Sequence, residues 1–478
     1  MTPGRCVTLL FALLGLWVAL AIADSGGSGS QVAESQRLES AVESLTTNDS
    51  AQSVAQRTRI RNGSRLADPI PVPTPSGTGN AQPPSTSNGT HPVTTVKTAA
   101  EQPDADHPTS DEPAAESTVD NSADDESSHD ENLSTELLSL RTKVRRVLGT
   151  YYRRPLNTAE HNPWEVMHGL IAFGVETKVL RGGPNGEPVN AAAWFSINGS
   201  CRGLQMLEID YRGRINAKKG PYVQGHFGQF LAILAQCHVK TDYALVVDGR
   251  RFTVAELMET EKLTCQSGTE LTFKLISCAH YLDSDATWKD EFGQTWSIER
   301  LIREEIQQPI LRTAPCGGTH RLMGLSYALR KRQKQGKHIT GEFRRAEIYL
   351  NDYHRYAFGL QNADGSFSTA WFERKADEPS VDRRLKTSGH ILEWLAWSVE
   401  EPQLTDPRMI KAVDYLASIL DAEPTRAWEI GPMGHALHAL AIYDRRMFRK
   451  DEWSQPGSHL PPKELAQRVE ASDERPSP

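Results

Sequence analysis

After Asn132 the apolar positions fall into two kinds of segment that take turns along the chain. One kind carries a single apolar stripe on a polar background, at the i, i+3, i+4 spacing of a helix with one buried face. STELLSLRTKVRRVLGTYY from Ser134, FTVAELMETEKL from Phe252, TWSIERLIREEI from Thr295, EFRRAEIYLNDYHRY from Glu342 and DPRMIKAVDYLASIL from Asp406 are of this kind. RGLQMLEID, ahead of His226, is a shorter and weaker example. The other kind is apolar almost all round and rich in small residues, the pattern of a helix buried on most of its circumference. These segments are NPWEVMHGLIAFG from Asn162, VQGHFGQFLAILAQ from Val223, LISCAHYL ending at Leu282, CGGTHRLMGLSYAL from Cys316, LKTSGHILEWLAWSVE from Leu385 and GPMGHALHALAIYDR from Gly431. Most place a histidine beside a glycine.

By subtraction, the histidines of the apolar segments lie 58, 54, 40, 70 and 45 residues apart, from His168 through His226, His280, His320 and His390 to His435. A loose repeat of about fifty residues means a solenoid or a closed ring. An open solenoid needs no inner helix that is apolar all round. Six striped and six apolar helices therefore predict an all-α (α/α)6 toroid of six helical hairpins, with parallel inner helices, over residues 133–450. Two segments read as strands in rim loops: AAAWFSING near Trp194 and YALVVDGRRF near Val246, the second with an Asp-Gly turn signal.

Composition confines that fold to the later part of the chain. Hydrophobic residues make up 38% of 478 and mean hydropathy is −0.50, values that fit a large core only when the polar first quarter is set aside. Residues 24–132 are rich in Ser, Thr, Gly, Pro and acid. They hold too little apolar surface to offset chain entropy, so they predict a disordered stalk. Residues 451–478 read as a polar tail. The net charge of −8 comes largely from the twelve acidic residues of the span 101–132. The folded region is thus nearly balanced, which excludes the concentrated basic surface of a nucleic-acid binder.

Residues 1–23 have one Arg, an apolar run from Val7 and the small-x-small site Ala21-Ile22-Ala23, the pattern of a secretory signal peptide. The run is also as long as the shortest membrane spans, so an uncleaved N-terminal membrane anchor is the alternative. Either places the folded domain outside the cytoplasm: periplasmic, cell-surface or secreted. Cys201, Cys237, Cys265, Cys278 and Cys316 are an odd set with no CxxC. They are read either as buried free thiols or as one or two disulfides with a thiol left over.

Gly359 to Phe372, GLQNADGSFSTAWF, resembles the Q-x-x-D-G-S/G-W/F motif of terpenoid-cyclase and protein-prenyltransferase toroids through Gln361, Asp364, Gly365 and Phe367. FGQTW from Phe292 is a fainter echo. The resemblance implies the toroid fold, with the motif tying outer to inner helices. The chemistry of those families is not carried over. Squalene-type cyclases use an acid in D-x-D-D, where this chain has Asp283-Ser284-Asp285-Ala286. Prenyltransferases bind zinc through an Asp-x-Cys, which is missing. Thioester toroids need a Gln that Cys316-Gly317-Gly318-Thr319 lacks. A shared fold does not transfer a function.

Parallel inner helices would bring His168, His226, His320, His390 and His435 to one mouth, with His280 the weaker member. A helix N-terminus disfavours a cation, so these imidazoles should be neutral and able to accept a proton or bind a metal, a shared ligand site ranking ahead of a metal site. The competing expectation is that each Gly-His is a repeated structural cap bonded to an outer-helix carbonyl. Trp164, Trp371 and Trp428 stand in loops at inner-helix starts, where an exposed indole face suits a sugar ring. Trp296 shares that position. Glu165, Glu429 and Asp364 supply nearby carboxylates, and Tyr222, Tyr353 and Arg321 are candidates for lyase-type chemistry. No metal and no cofactor is assigned. The sequence thus points to a ligand-binding or protein-interaction scaffold whose partner is a protein or glycan of the envelope. A glycoside hydrolase or polysaccharide lyase using the same pocket is the alternative, and a prenyltransferase or cyclase ranks below both.

Overall fold

A computed structural model describes residues 133–448 apart from 311–313 and 315. The expected signal segment, stalk and tail lie outside the described residues. Among those residues the chain is mostly helical: α1 (Thr135–Tyr152), α2 (Pro163–Phe173), α3 (Ala191–Ser196), α4 (Gln229–Gln236), α5 (Val254–Leu263), α6 (Thr272–Tyr281), α7 (Ile298–Gln307), α8 (Thr319–Lys334), α9 (Gly341–Gly359), α10 (Val381–Ser398), α11 (Pro407–Ala422) and α12 (Ile430–Phe448). Local chemistry sets many of the starts. The Asn162 side chain accepts from the Glu165 amide while Glu165 reaches back to the Asn162 amide, a capping box that opens α2. Thr253 and Glu256 do the same for α5, and Asp406 with Pro407 opens α11.

The apolar helices pack on one another in sequence: α2 on α4, α4 on α6, α6 on α8, α8 on α10, α10 on α12, and α12 back on α2. The striped helices lie against this set, α1 on α11 and α12, α5 on α6, α7 on α6 and α9, α9 on α8, and α11 on α10. Ion pairs of α1 with the last hairpin complete the circuit. Arg145 donates to Asp444 at 2.9 Å in the interior, while Arg146 to Asp421 and Lys143 to Asp414 lie nearer the surface.

Nine short strands fill the connections. β1 (Leu156–Asn157), β2 (Lys178–Arg181) and β3 (Glu187–Asn190) form one small sheet. β4 (Leu207–Ile209) pairs with β5 (Ile215–Ala217), β6 (Ala244–Val247) with β7 (Arg250–Thr253), and β8 (Thr287–Lys289) with β9 (Thr295–Ser297), all antiparallel. The strand expectation near Val246 holds, with Asp248-Gly249 at the turn. Two others are corrected. AAAWFSING is not a strand: Asn190 caps Ala193 and starts the helix α3. RGLQMLEID is not an outer helix, because Asp210 accepts from the amides of Arg212 and Arg214 and this turn folds Leu207–Ile209 back onto Ile215–Ala217.

Cys201, Cys237, Cys265, Cys278 and Cys316, the cysteines of the described residues, are all buried free thiols, so the disulfide alternative is not realised among them. No helix of the described residues is long and apolar enough to cross a membrane. In the Gln361 motif, the Gln361 amide donates to the carbonyls of Gly365 at 3.0 Å and Arg408 at 2.9 Å. Phe367 is buried, and its amide donates to Ser388 on α10. The motif thereby bonds the α9–α10 loop to α10 and to the start of α11.

The ends of α4, α6, α8, α10 and α12 gather at one pole. Arg446 donates to the carbonyls of Ala396, Trp397 and Val399, Arg330 also reaches Trp397, and Lys331 donates to the carbonyl of His280. His238, just past α4, lies 5.2 Å from His280 between ring centroids. Cationic side chains here occupy carbonyls that helix termini leave open.

Candidate functional site

At the opposite pole the structure brings together His168, His226, His320, His390 and His435. Ring centroids of His390 and His435 are 4.0 Å apart, His320 lies 5.2 Å from His435 and 5.6 Å from His390, His168 lies 5.3 Å from His435, and His226 lies 5.8 Å from His320. The glycines beside two of them explain the approach. A Cβ on Gly389 would stand 3.1 Å from Ala436, and one on Gly434 would stand 2.6 Å from the His168 carbonyl oxygen. Helices α10, α12 and α2 can therefore cross closely only where glycine sits, and the next residue of the chain is carried into the cluster. His390 lies mid-helix, because α10 begins at Val381 with Ser380 as its cap. His226 precedes α4. His280 belongs to the other pole.

Hydrogen bonding fixes how four of the rings face. His168 Nδ1 is 2.6 Å from the Trp164 carbonyl and His390 Nδ1 is 2.8 Å from the Lys386 carbonyl. A carbonyl has no proton to give, so each Nδ1 donates and each Nε2 carries a lone pair. His435 Nδ1 lies 2.8 Å from Glu393 Oε2, and His226 Nδ1 lies 2.6 Å from Glu270 Oε2. The other Glu393 oxygen receives His438 Nδ1 at 2.6 Å. None of these rings bonds an outer-helix carbonyl, so the expectation of repeated structural caps is corrected. His320 differs from the rest: both its ring nitrogens are buried and neither has a hydrogen-bond partner. A buried polar atom without a partner is costly and calls for an explanation.

Burial, with His435 next to it, pushes the His168 imidazole down to about 3, and the same two causes with His320 hold His390 well below its ordinary value. These rings are neutral at physiological pH. Burial opposes the charge on Glu393, but His435 and His438 outweigh it and keep the carboxyl well below the usual range. Burial would raise the Cys316 thiol, yet the His320 ring brings it down to about 6. That ring, disfavoured as a cation by burial, is raised in turn by Cys316 to about 9. Thiol and ring therefore lie close enough to act on each other as a pair.

The tryptophans form walls. Trp164 lies 4.1 Å from His168 and Trp371 lies 5.7 Å from His390 between centroids. Trp371 is buried, and so is Trp428, whose Nε1 donates to the Tyr151 hydroxyl. Trp371 and Trp428 thus offer no exposed face to a sugar, a correction of that expectation, and Trp428 is a core residue outside the cluster. Trp296 is also buried, bonded to Asp290. Glu165 caps α2, Asp364 turns the Gln361 loop by accepting from the Ser366 amide, and Arg321 is engaged by Glu305 and the Gln308 carbonyl. Glu429 and Tyr222 are exposed outside these contacts, and Tyr353 is buried on α9.

Sequence reasoning missed Glu393, Glu270, His438 and Cys316 as site members. Glu393 had a readable signal, since an acid within the apolar run HILEWLAW must find a buried partner. Compared with known proteins, the chain matches no family model, no curated protein and no solved structure.

Proposed function

We propose that this chain is an exported binding module. Its six helical hairpins close into an (α/α)6 toroid placed outside the cytoplasm, and the histidine cluster at one pole holds a small ligand. The partner that presents the ligand is a protein or glycan of the envelope. One observation carries the reading: imidazoles from residues 168 to 435 meet in one place, with four Nδ1 atoms anchored and Nε2 lone pairs left to face a ligand. The cyclic packing of the inner helices supports closure. The two bonds of Gln361 support the resemblance to cyclase and prenyltransferase toroids.

A carbohydrate-active enzyme is the second reading, favoured by Glu270, which is partly exposed and bonded to His226. Against it, Glu393 sits behind its histidines instead of facing a second carboxylate across an opening, and the Trp371 and Trp428 faces are covered. Cyclase chemistry ranks last, since Asp283 and Asp285 pair with Lys337 at the surface.

The test is thermal unfolding of the full-length chain against oligosaccharides, polysaccharide fragments, small anions and first-row divalent ions, for wild type and His390→Ala. A ligand at a hundredfold excess over its Kd adds about 2.7 kcal/mol to the folded state, a shift of several degrees. At least one class should stabilise the wild type and lose its effect in the variant. If no class does so, or the variant responds equally, the binding reading fails.

A further inference from the structure

Three of the five imidazoles form a tighter group than the rest. One ring nitrogen from each of His320, His390 and His435 lies within 4.8 Å of the other two. Metal–nitrogen bonds of about 2.0–2.1 Å place tetrahedral ligand nitrogens about 3.4 Å apart. A contraction on the scale of side-chain rotation therefore suffices to close the set on one ion. The orientations already suit it. His390 is held through Nδ1 by the Lys386 carbonyl and His435 through Nδ1 by Glu393, which aims both Nε2 lone pairs away from their anchors. Carbonyl and carboxylate anchors of this type are what metal-ligating histidines use to fix their tautomer. His320 contributes the independent observation, for a coordinated ion would give its partnerless buried ring the bond it lacks.

We propose that the histidine cluster is a mononuclear transition-metal site with His320, His390 and His435 as ligands and Glu393 as the outer residue that orients His435. This rests on the binding reading above and names the class of its ligand. The donor set selects the ion. Nitrogen donors without a coordinating carboxylate disfavour calcium and magnesium, which take oxygen, and suit the later first-row divalent ions, zinc foremost by abundance. Three protein ligands leave a fourth position open to water or a small anion, the arrangement of catalytic rather than structural zinc centres. His168, beside His435, and Cys316, beside His320, stand next to the triad and border that position. His390, His435 and Cys316 are all buried, which suits a ligand much smaller than an oligosaccharide.

The experiment uses the full-length chain, stripped with chelator and titrated with Co²⁺ and then Zn²⁺. One Co²⁺ per chain should bind with the strong visible absorption of a four-coordinate site, shift when azide is added, and be displaced by one equivalent of Zn²⁺. X-ray absorption of the zinc form should count three imidazole nitrogens. His390→Gln and His435→Gln, which keep most of the side-chain volume, should each weaken binding more than about 100-fold, and Glu393→Gln should weaken it by about 10–100-fold. His338→Gln, at an exposed position, should bind as wild type does. Failure to bind a stoichiometric ion overturns the proposal, as does binding that survives in a folded His390→Gln/His435→Gln double variant. If an organic ligand or sugar then stabilises the chain through His390 where metals do not, the metal fails and the binding reading stands. If nothing binds, both fail.

Discussion

The two poles of the inner helices differ in how their polar groups are treated. At the pole of the carboxyl ends, cationic side chains answer the main chain: Arg446, Arg330 and Lys331 take up the carbonyls of Ala396, Trp397, Val399 and His280, and positive charge meets the negative ends of helix dipoles. At the histidine pole the chain stops short. The Nδ1 atoms of His168, His226, His390 and His435 are bonded while their Nε2 atoms make no hydrogen bond, and neither His320 nitrogen has a hydrogen-bond partner. Both poles draw on buried titratable residues and close helix packing, so burial alone does not mark a site. What marks it is the convergence of five imidazoles whose ring nitrogens are not all taken up by the protein's own bonds.

The comparison can be broken by substitution at either pole. The largest effect is expected from Arg446→Met, which strands three buried carbonyls and should remove about 3–5 kcal/mol of stability. Urea unfolding reads that loss, and Co²⁺ binding by the folded fraction should be unchanged. Equal damage to metal binding would mean that the poles are not separable. Next comes Gly317→Ala, in the turn between Cys316 and His320. Gly317 has φ of +58°, and a Cβ there would stand 2.3 Å from Trp371. A loss of about 2–3 kcal/mol is expected, here accompanied by weakened Co²⁺ binding because the turn positions His320.

A smaller effect is expected from pH at His354, which bonds Ser398 at the last turn of α10. Burial pushes this imidazole down to about 4. The unfolded chain therefore takes up a proton below about 6.5 that the folded chain refuses until about 4. Stability from this residue is complete above pH 6.5 and falls as pH drops towards 4, by about 2 kcal/mol between pH 7 and pH 5. His354→Gln should flatten that part of the pH profile of urea unfolding. The smallest expected change is at His320. His320→Leu removes two buried nitrogens without a hydrogen-bond partner together with the ring that holds the Cys316 thiol down, two effects of opposite sign, so stability should move by less than about 1 kcal/mol while Co²⁺ binding is abolished. A clear loss of stability would show that the pairing with Cys316 outweighs the two unbonded nitrogens.

Much of the helical order was legible because inner helices buried on all sides cannot hide their composition. α12, running from Gly431 through Phe448 with nearly every residue buried, announces itself in the sequence. α3 did not, because it has only six residues, too few for a stripe to show, and Trp194-Phe195 has strand-like chemistry. The convergence of five histidines was legible from the repeated place of four of them beside glycine, with His320 two residues after Gly318. Which three would come closest was not, for that depends on the crossing of α10 with α12 at Gly389 and Ala436, residues 47 apart in the chain. Glu270 was invisible for the same reason, since its bond to His226 spans 44 residues.

The seam between α1 and the last hairpin has a consequence for the order of assembly. Arg145 and Asp444 are 299 residues apart, and α12 packs on both α1 and α2. During synthesis, the inward faces of the first two helices must wait for the final one before their buried sides are covered. Contacts of such sequence separation form slowly, so the growing chain passes through an open arc with Val144, Leu148 and Leu170 uncovered, a species prone to associate with its own kind. A chain that cannot finish folding until α12 has emerged stays extended, and so threadable, to a late point in its own synthesis.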